Sequence, residues 1–268
     1  DGMLVVGAFL QVAQQLEGMA TPPPLDDGSD PFVWWTSTLP AHIDAHWDAV
    51  SQRFDTIVVD EAQDFSPEWV AMLERLLDPD CAGRLLLVAD TRQDLYERDF
   101  VVPSAEDGWV RAELTSNCRN SHAIARLLRA RLDGAGAPAT LPDGDGIRAV
   151  LAEDGASATA QVAAEIRRLF DEDGQRPDSI LVVTTASAVR NELRDQLYLV
   201  PWEMRDGDTV VCENAHRAKG LESDTVILVC LDADTPSHLL YVAISRAISE
   251  LVVIGPSALH ERLDLSAG

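Results

Sequence analysis

Lysine is almost absent from this chain. Of its 21 basic residues only Lys219 is a lysine, and against them stand 45 acids, for a net charge of −24 over 268 residues. That surplus of acid excludes a surface that holds nucleic acid by charge alone, so a nucleic-acid partner would need a local groove. Cysteine is scarce as well. Cys81, Cys118, Cys212 and Cys230 show no CxxC or Cys/His ligand spacing, and each lies in or beside an apolar run, so they read as reduced core residues of a cytoplasmic protein. No apolar run approaches membrane-spanning length, and no charged-then-apolar signal opens the chain. The chain begins on Asp1 rather than methionine, which suggests a fragment or a processed piece.

What is present is enough length for two α/β domains with real cores. The most informative stretch is Phe54 to Phe65, FDTIVVDEAQDF. Ile57, Val58 and Val59 form an apolar run without polar alternation, the pattern of a strand buried on both faces, and it ends on Asp60, Glu61 and Asp64. Ligands of open α/β sheets sit at that carboxyl edge. A carboxylate pair there can hold Mg²⁺, here Asp60, and orient a water, here Glu61. Taken alone, the pair could equally be a solvated acidic strand end.

Met3 to Phe9 reads as a strand and Leu10 to Leu16 as a helix, while TPPPLDDGSDP (21–31) is a loop. Trp34, Trp35 and Trp47 are expected to pack in a core around a short helix. Ser66 and Pro67 open a helix with Trp69, Val70, Leu73, Leu76 and Leu77 on one face. A second apolar strand, Leu85 to Ala89, ends on Asp90. LTSNCRNS (114–121) leads into a helix bearing Ile124, Leu127, Leu128 and Leu132. DGAGAPATLPDGDG (133–146) has the composition of a linker. Beyond it strands and helices alternate, as in a parallel sheet covered by helices on its faces.

The segments VDEAQDF, VADTRQDLY, LTSNCRNS, ENAHRAKGLE and LLYVAISRA stand in the order of motifs II to VI of superfamily 1 helicases of the UvrD/Rep type, which the chain resembles from about Phe54 to Gly255. The resemblance implies two RecA-like parallel-sheet domains of the P-loop NTPase fold, the first incomplete: 1–132 with motifs II to IV, a linker at 133–146, and 147–268 with motifs V and VI. It implies ATP and Mg²⁺ as cofactors, with Asp60 holding the metal through its water shell and Glu61 polarising the attacking water. Gln93 would sense the γ-phosphate, Arg119 and Arg246 would reach it, and Gly220 and Glu222 would lie at the nucleotide, Glu222 on the ribose. Tyr96 would stack on a base of single-stranded DNA, with His216 and Lys219 close to the nucleic acid. Outside this pattern, Tyr96 could be a core tyrosine, His216 a satisfied histidine, and the arginines surface ion pairs.

The chain also departs from the family. The phosphate loop GxxxxGK[ST] is absent, and with Lys219 the sole lysine it cannot be hidden elsewhere. Without its backbone cradle and lysine, this chain alone should not hydrolyse ATP, and an upstream segment bearing that loop is the expected partner. Cys118 stands where the family carries an adenine-stacking tyrosine. Gly7 and Ala8 stand where a threonine is usual. Only 90 residues separate Ser121 from Cys212, too few for a large helical insertion, so a compact variant is expected. The function implied is the C-terminal part of an ATP-dependent DNA helicase or translocase. The alternatives are a non-catalytic helicase-like module and an RNA-directed NTPase.

Overall fold

The computed structural model describes residues 4–25, 30, 33–96, 98–132 and 138–265. Its contacts divide the chain into two compact units, one of residues 1–90 and 98–101, the other of 91–97 and 102–268. Both are α/β with parallel strands.

In the first unit α1 spans Phe9–Ala13, a π-helical turn at Trp34–Thr38 runs into α2 (Leu39–His46), and β1 (Thr56–Val59), α3 (Pro67–Glu74) and β2 (Arg84–Leu87) follow. Helix α3 starts where the sequence expects. The Ser66 hydroxyl accepts the Trp69 N–H at 3.3 Å and Pro67 takes the first turn, where a missing N–H is harmless. Strands β1 and β2 pair in parallel, Thr56 opposite Arg84 through Val59 opposite Leu87. Because side chains alternate across a strand, Ile57, Val59, Leu85 and Leu87 turn to a core of Leu39, Ile43, Trp47, Met72 and Leu73.

The other face of this pair corrects an expectation. Val58 and Leu86, partners in the register, are 61% and 55% exposed, so the strand read as buried on both faces is covered on one among the described residues. Residues 4–8 form no strand, and the helix begins at Phe9. The expected strand therefore does not fill a place beside Ile57–Val59, and Met3 lies outside the described residues. Trp34 and Trp47 are core residues as expected, but Trp35 is exposed and stands edge-on to the Trp34 ring.

The second unit contains α4 (His122–Arg131), β3 (Gly146–Leu151), α5 (Gly155–Asp171), β4 (Ile180–Thr184), α6 (Ser187–Leu197), β5 (Val211–Asn214), α7 (Ala215–Ala218), β6 (Ser223–Val229), α8 (Ser237–Ile244), β7 (Ala247–Gly255) and α9 (Ser257–Leu263). Its five strands are all parallel in the order β3-β7-β6-β4-β5. Alternation again sorts the side chains. Leu181, Val183, Val226, Leu228, Leu251 and Val253 join the core under α4, α8 and α9, while Ile180, Val182, Ile227, Val229, Val252 and Ile254 join the one under α5 and α6. Buried on both faces, these strands read as continuous apolar runs.

The location of α4 differs from the expected boundary. Its face of Ile124, Leu127 and Leu128 belongs to the second core, so the helix packs with the second unit and not with a first domain ending at 132. The compact units divide near residues 90–102, ahead of the expected linker, of which 133–137 lie outside the described residues. The cysteines also split. Cys212 and Cys230 are buried, and burial pushes the Cys212 thiol up to about 12, but Cys81 and Cys118 are exposed. No helix among the described residues is long and apolar enough to cross a membrane.

One buried ion cluster shapes the end of β5. The Glu213 carboxylate is fully buried; it accepts from Arg194 Nη2 at 2.9 Å, Arg217 Nε at 3.1 Å and the Trp202 N–H at 3.1 Å. Burial works against the charge on Arg217, but Glu213 and Glu203 raise its pKa above the usual value. Removing the carboxylate would leave two arginines facing a gap. We expect Glu213→Ala to lower unfolding stability by about 3 kcal/mol, the low end for a broken buried pair because half-exposed Arg217 can turn to water. Chemical denaturation reads this directly, and a loss under about 1 kcal/mol would reduce the cluster to a surface pair.

Candidate functional site

In the first unit β1 brings its acids to its carboxyl end. Asp60 is exposed and its Oδ1 accepts the Glu61 N–H at 2.9 Å. Glu61 then turns left-handed, φ 53 and ψ 43, a conformation that costs a side-chain-bearing residue about 1–2 kcal/mol and that clusters at functional sites. Gln63, which the sequence reading left without a role, is buried and ties this turn together. Its Nε2 donates to Glu61 Oε2, and its Oε1 accepts the Asp90 N–H at 3.0 Å. The Ala62 N–H reaches Val88 O at 2.8 Å, so the ends of β1 and β2 are locked together. The result is a held carboxylate at a strained corner, beside an exposed one. Among the described residues no three acids, histidines or cysteines gather as a metal cage.

In the second unit the turn Thr91–Gln93 packs on α8. Gln93 is buried; its side-chain Oε1 accepts from Arg246 Nη2 at 2.9 Å and its backbone carbonyl accepts from Lys219 Nζ at 2.9 Å. Arg246 is 1% exposed, and all three guanidinium nitrogens have partners: Nε on Val242 O at 3.0 Å, Nη1 on Leu221 O at 3.2 Å, Nη2 on Ser245 Oγ and Gln93. Arg92 lies over the Tyr241 ring, 5.2 Å from its centre. Three segments far apart in sequence thus converge on one arginine.

The remaining candidates lie around this cluster. Arg119 Nε meets Glu222 Oε2 at 3.0 Å, both half-exposed, so the residues expected at the γ-phosphate and the ribose are neighbours in an exchangeable surface pair. Gly220 takes φ 82, a value that only glycine adopts without strain, which lets the chain turn from α7 to Glu222. Tyr96 is 48% exposed, which excludes the core reading, and its ring centre is 6.3 Å from that of exposed His216. Lys219, expected between the nucleotide and the nucleic acid, has its amine on the Gln93 carbonyl. Asn117 and Asn120, unremarked in the sequence, are the other polar fixtures here. Their signal was a bare Asn pair in a loop, which has no periodicity to betray burial.

Comparison with known proteins adds one family. Residues 209–254 match the UvrD-like helicase C-terminal domain. The matched stretch includes α7, Lys219, Glu222 and Arg246. A solved structure described as the C-terminal domain of a possible DNA helicase from Lactobacillus plantarum WCFS1 aligns over 55% of this chain and 91% of its own, at 22% identity and a TM-score of 0.44. No curated protein matches the chain.

Proposed function

We propose that this chain is the C-terminal part of an ATP-dependent helicase or translocase that moves on single-stranded DNA, compact and without a large helical insertion. The observation that carries this reading is the convergence of Gln93, Lys219 and Arg246 in the second unit, with Arg119 and Glu222 paired beside the loop that Gly220 turns. Phosphoryl transfer needs little covalent chemistry from a protein and much charge placement, which arginine forks supply. In this reading Arg119 and Arg246 stabilise charge on the γ-phosphate, Gln93 senses it, and Glu222 accepts from the ribose beside Gly220. Glu61 orients the attacking water. Asp60 would hold Mg²⁺ through its water shell, and the metal would neutralise phosphate charge. Exposed Tyr96 offers a stacking face that tolerates any base, with His216 beside it.

The phosphate loop is the missing part. The bare Val58/Leu86 face, joined by exposed Val88, supports a segment upstream that carries it, since parallel sheets are covered on both faces. ATPase of the full-length protein, measured without nucleic acid and with single-stranded DNA or RNA, tests the proposal. Stimulation by DNA is expected. Stimulation by RNA alone would transfer the reading to an RNA-directed NTPase, and no turnover would favour a non-catalytic module, which the absent loop also fits. Calorimetry on this chain alone should register no Mg·ATP binding, and tight binding would mean a phosphate site outside the family pattern.

A further inference from the structure

We infer that Asn120 is the positioning residue of Arg246, and that through its loop a single Asn pair sets both arginines. The inference rests on the proposed role of Arg246. Asn120 is 3% exposed, and its side-chain nitrogen lies 3.0 Å from Ser245 O and 2.7 Å from Ala247 O. These are the two carbonyls that flank Arg246. Two acceptors can be met only by the NH₂ end of the amide, so the orientation of this side chain is fixed by chemistry. Its oxygen in turn accepts from Asn117 Nδ2 at 2.9 Å, and Asn117 Oδ1 accepts the backbone N–H groups of Arg119 and Asn120, each at 3.0 Å.

The elbow held in this way is the turn from α8 into β7, where Ser245 and Arg246 are the two residues between helix and strand. The Arg246 carbonyl is engaged from the other side by the Ser223 N–H at 3.1 Å, next to Glu222. The Ser121 N–H adds a bond to Ile248 O at 2.7 Å. Backbone torsion at a single residue swings a side chain as long as arginine by ångströms at its tip, and misplacement of about 1 Å can cost a hundredfold in rate. Neither a charged nor a smaller side chain does this work. Aspartate would set a carboxylate against two carbonyls, serine keeps one donor of two, and alanine leaves both acceptors without the amide.

The test uses Asn120→Ala, Arg246→Ala and their combination in the full-length protein, with DNA-stimulated ATPase and thermal melting as readouts. Asn120→Ala should lower kcat about tenfold or more while KM for ATP moves less than about twofold, and the double variant should be no slower than Arg246→Ala. A kcat unchanged in Asn120→Ala, or losses that multiply in the double variant, would overturn the inference while leaving the role of Arg246 intact. Full kcat in Arg246→Ala would instead sink the reading beneath it. If the alanine variant melts below assay temperature, Asn120→Ser takes its place under the same criteria.

Discussion

Replacing Arg246 by alanine is expected to depress kcat about a thousandfold, the lower range for an arginine that neutralises phosphoryl-transfer charge, with a smaller effect on ATP affinity. The asymmetry follows from timing, because a guanidinium aimed at developing charge gains most at the transition state. Arg246 is also the largest fully buried side chain among the described residues, so truncation leaves a cavity and removes a donor from each of the carbonyls of Val242 and Leu221. Two companions separate chemistry from folding. Arg246→Lys retains charge but loses the planar fork that spans Gln93, Ser245 and Leu221, and should remain severely impaired. Arg119→Ala should show the thousandfold loss without a stability penalty, since its pair with Glu222 is half-exposed. If kcat survives in any of these folded variants, that residue does not touch the transferred phosphate.

Glu61→Gln should retain nucleotide binding in the full-length protein and lose turnover on the order of a hundredfold or more. The amide is isosteric and can accept from Gln63 as the carboxylate does, so the left-handed turn at φ 53 should persist. What is lost is the proton acceptor alone. A single-turnover assay with bound nucleotide separates this from a binding defect, and turnover near wild type would remove Glu61 from the mechanism.

Much of the second unit was legible in order. Strands buried on both faces read as apolar runs, so the alternation of strand and helix beyond residue 146 was expected as it is observed. Ser66 and Pro67 announced α3 through capping chemistry that is local by nature. The first unit was less legible for the same reason. Apolar content at Ile57 to Val59 reports a preference for burial, not whether a neighbour exists to satisfy it, and Val58 remains exposed. Met3 to Phe9 has the apolar composition of a strand, yet its described residues 4–8 form none and Phe9 opens a helix.

The sequence by itself determined the alternation of strand and helix, the acids at the end of β1, and the motif order that nominated Asp60, Glu61, Gln93, Arg119 and Arg246. Tertiary structure alone decided which compact unit takes residues 91–97 and α4, that Lys219 holds Gln93, and that Asn120 clamps the carbonyls on either side of Arg246. The reason is range. Periodicity and capping are properties of a few adjacent residues. A buried amide bridging residues 125 and 127 positions away depends on how the sheet and its helices close around it, and an asparagine in a loop gives no sign of that.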